Sequence, residues 1–280
     1  MSTEIVPASA PFLSIGDDKE ENGSGIPIYF EEDWNQGIGG GLWSTGLAFS
    51  RYLTTPHANA NLQKMADSSI GRSSTAGLSV LELGSGNGLL SVCLLALSKQ
   101  LLAKTSSTGT QACIIRDLVI TDLADHLPLI QKTLDANSHL LQVQGEAQSA
   151  TTNVHVLDHS WGSFLPSSTS ASEEADTNKA PITFSEQVQQ GQIQFDLIVG
   201  SDVAYREDLY DILITSLQQF AHDNTCILIG CTMNDTKPEF FHKLRTAGFR
   251  YQKFADHLLE RDFQGQTFGI FVIERVKQEK

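Results

Sequence analysis

The chain has 280 residues, 40% of them hydrophobic and 19% charged, with a formal net charge of −14. That length fills one sizeable core and suits a single domain with extensions better than two full domains. No stretch reaches the roughly 18 apolar residues of a membrane span, and an acidic chain without a Lys/Arg cluster repels phosphate backbones, so neither membrane nor nucleic acid is expected as a partner.

In chain order, residues 1–25 hold Ser, Gly, Glu and Asp with few large apolar groups, which predicts a mostly disordered leader. The start lacks a basic-then-apolar signal, and a soluble cytoplasmic protein is expected. Residues 26–77 form an N-terminal cap segment. In it Ile28, Tyr29, Phe30 and Trp34 suggest a short strand or hairpin, and Gly37–Gly41 a flexible turn. Leu42, Leu47, Phe49, Tyr52 and Leu53 fit one face of a helix, whereas Thr54–Gly77 is small and polar and reads as a loop with one helical turn.

Strands and helices then alternate through residues 78–280. Strands are expected at Leu78–Leu83, Leu118–Thr121, Val154–Leu157, Phe195–Gly200 and Thr225–Cys231. Helices are expected at Gly88–Ala103, Asp125–His139, Glu207–Ala221 and Pro238–Ala247. Such alternation implies a parallel sheet covered on both faces. Tyr251–Leu258 and Thr267–Arg275 have no helix between them and should pair as an antiparallel hairpin at one edge. Together these elements predict a seven-stranded, Rossmann-like α/β sheet. Thr105–Gln111 is a polar spacer, and 166–192 is a Ser-, Thr-, Glu- and Gln-rich insertion expected to be mobile. Cys93, Cys113, Cys226 and Cys231 have no CxxC spacing and read as reduced core residues. The eight histidines show no metal-ligand spacing, and no metal is expected.

The chemistry concentrates at the predicted strand ends. Val80–Leu83 is apolar apart from Glu82 and runs into Gly84-Ser85-Gly86-Asn87-Gly88 at the mouth of an apolar helix. The glycines allow a sharp turn and close approach of a ligand, and the helix N-terminus offers unpaired N–H groups. The spacing G-x-G-x-G is not the G-x-G-x-x-G of pyrophosphate loops, although an NAD site and a bare structural turn remain open on this motif alone. Asp122 closes the second strand, where an acid can accept from ribose hydroxyls or cap the next helix. His155–Gly162 closes the third, with Trp161 available to stack on a base or to plug the core, and Asp158 available to accept from an amine. The fourth runs into Ser201-Asp202-Val203-Ala204-Tyr205. There Asp202 can hold an incoming ammonium, or cap the next helix, while the Tyr205 ring walls a channel. The chain has no Pro-Pro after this strand, which sets it apart from enzymes that methylate amide or base nitrogens.

These stations, in this order, resemble the seven-β-strand protein-lysine methyltransferases of methyltransferase family 16. The likeness rests on Gly41–Gly46, Glu82–Gly88, Leu157–Gly162 and Asp202–Tyr205. The last is similar to the family's Asp-x-x-Tyr signature. By that resemblance the cofactor is S-adenosyl-L-methionine, met by Trp43, Gly84, Ser85, Gly86, Asp122, Trp161 and Ser201, and Asp202 and Tyr205 line the catalytic centre. The Leu-Trp-Ser-Thr-Gly-Leu stretch is similar to the fungal elongation-factor lysine methyltransferases. It implies a protein substrate, elongation factor 1A or a chaperone, for an enzyme acting as a monomer. A small-molecule N- or O-methyltransferase and a non-catalytic interaction protein are the competing expectations.

Overall fold

The computed structural model describes residues 11–15, 25–69, 77–105, 114–141, 151–165, 184–191 and 193–277. Among the described residues nine strands run in chain order: β1 (Leu13–Ile15), β2 (Ile26–Ile28), β3 (Leu78–Leu83), β4 (Ile115–Asp122), β5 (Asn153–Asp158), β6 (Leu197–Ser201), β7 (Cys226–Thr232), β8 (Phe249–Lys253) and β9 (Phe268–Arg275). The helices among the described residues are α1 (Ser44–Leu53), α2 (Pro56–Ser69), α3 (Leu89–Thr105), α4 (Leu127–Ala136), α5 (Phe184–Gln189), α6 (Tyr210–Phe220) and α7 (Pro238–Thr246), besides short 3₁₀ turns.

Seven strands form one sheet in the order β5-β4-β3-β6-β7-β9-β8. The pairs from β5 to β7 are parallel, and β9 joins β7 and β8 antiparallel. This is the class I methyltransferase sheet with its edge hairpin. Every residue of β3 is buried, as a central parallel strand requires. Alternate residues serve opposite faces: Val80 packs with α3 and α4, whereas Leu81 and Leu83 pack with α6 and α7. Helix α3 is apolar around most of its circumference because the sheet covers one side and α1 with the β1–β2 pair the other. Burying Leu94 and Leu97 there contributes about 1.5–3 kcal/mol each.

The chain order turns back between β3 and β6, and their C-terminal ends open a crevice at that switch point. Among the described residues no helix is long and apolar enough to cross a membrane.

Several expectations need correction. Within the leader read as mostly disordered, Leu13–Ile15 pairs antiparallel with Ile26–Ile28; Ile15 is buried under the core, which offsets the ordering of so short a strand. Thr54–Gly77 contains the 14-residue helix α2. Its burial signal is modest, Ala58, Leu62 and Ala66 at four-residue spacing, but Pro56 suits a first turn and the Thr55 hydroxyl accepts the Ala58 N–H at 3.2 Å. Strand β8 ends at Lys253, not Leu258, because the Lys253 ammonium donates to Asp256 at 3.0 Å and the chain curls into a 3₁₀ turn. Helix α5 lies inside the insertion expected to be mobile. Apart from Gln190 and Gly191, the remainder of that insertion lies outside the described residues, as do most of the Thr105–Gln111 spacer and Cys113.

Candidate active site

A cavity of about 560 Å³ opens at the switch point. The glycine loop, the ends of β4 and β6, the turn after β5 and the cap segment line it. All nine residues singled out in the sequence reach it: Trp43, Gly84, Ser85, Gly86, Asp122, Trp161, Ser201, Asp202 and Tyr205. Asp158 does not; it is exposed at the tip of β5, beside Asp122 in register.

The loop after β3 is left-handed at Gly84 and Gly86, with φ of 65° and 59°, a conformation that costs other residues roughly 1–2 kcal/mol. A Cβ on Gly84 would stand 2.9 Å from both Trp161 and Val203, so the Trp161 indole lies directly against the loop. Asp122 fixes the loop's height. Its Oδ2 accepts the Gly86 N–H at 2.6 Å, and its Oδ1 accepts the Leu123 N–H at 2.7 Å and meets His126 Nδ1 at 2.7 Å. Asp122 is thus committed to the loop in addition to facing the cavity. Asn87 ties the loop to the cap: its Nδ2 donates to the Gly41 carbonyl at 2.7 Å, and its Oδ1 accepts the Leu89 N–H at 3.1 Å.

Beneath the loop Glu82 is buried, and the Ser91 hydroxyl donates to its Oε2. Burial raises its carboxyl to about 7, with the Ser91 hydrogen bond opposing. Burial lowers His159, whose ring meets Phe220 edge-on, to about 4, with Asp158 opposing. That imidazole is neutral at pH 7. Asp202 is raised by burial, while hydrogen bonds from Thr45 and Thr232 pull the other way.

Among the described residues three carboxylates line the cavity, Asp122, Asp202 and Asp235, and no Lys or Arg does. The site therefore favours cations. Asp235 is exposed, and no hydrogen bond or ion pair engages its carboxylate among the described residues. The rim is apolar: Ile38, Trp43, Leu123, Tyr205 and Ile212 line the cavity while remaining more than a third exposed. Trp43 is fixed there by its indole N–H, which donates to the Ile38 carbonyl at 2.8 Å, and by an edge contact with Trp34 at 6.0 Å.

Sequence reasoning missed Asn87, His126 and Asp235. Asn87 sits between two glycines at a helix start, a cap position, and His126 is one helical turn past Asp122; both signals were legible. Asp235 belongs to a turn after β7 whose approach to the site only the fold reveals.

A family profile described as "Lysine methyltransferase" matches residues 23–177 and 178–247. Over 227 residues the chain is 23% identical to the protein N-lysine methyltransferase METTL21A of Mus musculus, covering 81% of this chain and 76% of that protein. Among solved structures, the METTL16 methyltransferase domain aligns with a TM-score of 0.46 and 12% identity, covering 90% of this chain and 74% of that chain. A ribosomal protein L11 methylase from Lactobacillus delbrueckii subsp. bulgaricus aligns with a TM-score of 0.40 and 14% identity, covering 78% and 79%. A profile match that takes in most of the chain makes this protein a member of the lysine methyltransferase family.

Proposed function

We propose that this protein transfers a methyl group from S-adenosyl-L-methionine to the side-chain nitrogen of a lysine in a protein substrate. One observation carries the reading: a cavity at the switch point combines the Gly84–Gly86 loop with three carboxylates, Asp122 among them, and no lysine or arginine among the described residues. Its volume falls within the roughly 300–1,000 Å³ of cofactor pockets. The residues fit the donor. The left-handed turns at Gly84 and Gly86 set the loop backbone on the cavity wall, where it can meet the amino-acid tail, Asp122 Oδ2 retains a lone pair for a ribose hydroxyl, and the acidic lining suits a cationic sulfonium.

When bound, S-adenosylmethionine supplies an electrophilic methyl group on sulfur. Trp43, Ser85, Trp161 and Ser201 would hold it along the strand tips. Tyr205 walls the channel at the open rim, and the apolar rim strips water from an arriving lysine, which disfavours its charged form. Positioning and electrostatics then supply most of the catalysis. The mouth, with Trp43 and Tyr205 exposed among the described residues, suits a side chain presented by a large partner better than an enclosed small molecule.

We further place the enzyme in the cytoplasm as a monomer, with elongation factor 1A as the first substrate to test. The support for that choice is the Leu42–Leu47 stretch, and a chaperone is second. Labelled S-adenosylmethionine and a lysate from cells lacking the protein provide the test. Label in one protein band, recovered as methyl-lysine, is the expected result. Label confined to small molecules would refute the protein substrate, and no calorimetric heat with the donor or its demethylated product would refute the donor site.

A further inference from the structure

Asp202 follows β6, facing the cavity, yet both of its carboxylate oxygens are already engaged. Oδ2 accepts the backbone N–H of Thr45 at 3.1 Å, and Oδ1 accepts the Thr232 hydroxyl at 2.9 Å. Thr45 is the second residue of α1. The first N–H groups of a helix have no partner within it, and the residue at the cap position of α1, Trp43, supplies no side-chain acceptor. An aspartate 157 positions away therefore caps α1 from across the fold.

The backbone joins in. The Asp202 N–H donates to the Gly230 carbonyl at 3.0 Å, and α1 rests on that glycine so closely that a Cβ there would lie 3.2 Å from Thr45 Cβ. Asp202 is also the single non-glycine residue of positive φ among the described residues, at 54°. Such a conformation persists where surrounding structure holds it.

We propose that Asp202 is a positioning residue: its carboxylate latches α1, and with it Trp43 and Gly46 on the cavity wall, to the strand tips, rather than meeting the substrate amine through its charge. This rests on the reading of the cavity as the methyl-donor site. The latch needs an acceptor for Thr45 and a partner for a hydroxyl that can both donate and accept. Asparagine supplies both without the charge, and tolerates positive φ. Alanine supplies neither.

The test compares full-length wild type, Asp202→Asn and Asp202→Ala by three readouts. These are hydrogen exchange of the α1 amides at 44–48, calorimetric affinity for S-adenosylhomocysteine, and turnover on the methyl-accepting protein. Asp202→Asn should keep exchange protection and nucleoside affinity within about threefold of wild type, and lose far less kcat than Asp202→Ala. Asp202→Ala should lose protection and bind the nucleoside about tenfold or more weakly, the scale of one lost hydrogen bond to a charged group. The proposal is overturned if Asp202→Asn lowers kcat about 100-fold while protection and affinity persist, since the charge itself would then be at work. Unchanged protection in Asp202→Ala would overturn it as well. Should the alanine variant not fold, Thr232→Val removes one of the two bonds and should give a smaller loss of the same protection; no loss would count against the latch. Wild type that binds no nucleoside would sink the donor site, while exchange would still decide the latch.

Discussion

The two rims of the parallel sheet solve opposite problems. At the N-terminal rim, polar groups close on one another. The Ser79 N–H donates to Asp196 at 3.0 Å and its hydroxyl to Asp117 at 3.1 Å, while Arg116 and Asn153 donate to Asp117 at 2.6 Å and 3.0 Å. That knot joins β3, β4, β5 and the start of β6. At the C-terminal rim the backbone turns left-handed at Gly84, Gly86 and Asp202, apolar rings stay in solvent, and the Asp235 carboxylate has no partner among the described residues. One rim spends its polar groups on register; the other keeps strain and charge for a ligand. Stability and function are therefore separable by position.

The largest expected effect breaks the first rim. Asp117→Ala leaves a buried Ser79 hydroxyl and Arg116 without their acceptor and should cost about 3 kcal/mol of unfolding free energy. Denaturant titration should show this with nucleoside affinity unchanged; a matching loss of affinity would end the separation.

Next comes Glu82, which lies between the rims and the ligand loop. Its folded pKa of about 7 exceeds the ordinary 4.5, so the native state binds the extra proton. Its contribution is intact below pH 4.5 and declines as pH rises through 7. His159, lowered to about 4 from 6.5, acts in reverse and adds stability as pH rises between those values. Glu82→Gln removes the first effect, so its stability relative to wild type should be greater at pH 8 than at pH 5 by about 2.5 kcal/mol. A pH-independent difference between the two proteins would show that folding does not raise the Glu82 pKa.

Asp122→Ala attacks the second rim. Losing the acceptor for the Gly86 N–H should weaken S-adenosylhomocysteine about 10–100-fold, with a smaller loss of stability than Asp117→Ala. Unaltered affinity by calorimetry would displace the sugar from this position. The smallest effect is that of Asp235→Asn. An exposed rim charge is worth under about 1 kcal/mol, so KM for a basic protein substrate should rise a few-fold, with a shallower salt dependence and kcat unchanged.

Much of this was legible in the chain, for reasons that vary by region. β3 was readable because an apolar strand ends abruptly in alternating glycines, and only a loop that turns left-handed needs that spacing. The Asp122, Trp161 and Tyr205 positions followed from where strands end. Helix α2 escaped because its buried side chains are mostly alanines, whose hydrophobic signal is weak against polar neighbours. His126 meets Asp122 locally, but its place under Gly39 of the cap depends on tertiary packing. Asp202 was found for its chemistry, while its bond to Thr45 is invisible until α1 is set upon β7.

The reach of that bond carries a consequence for biosynthesis. Residues are made from the N-terminus, so α1 leaves the ribosome long before Asp202 and Thr232 exist to receive it. The cavity cannot close until the residues through Thr232 have emerged, and nascent fragments that stop short of it should be blind to the nucleoside.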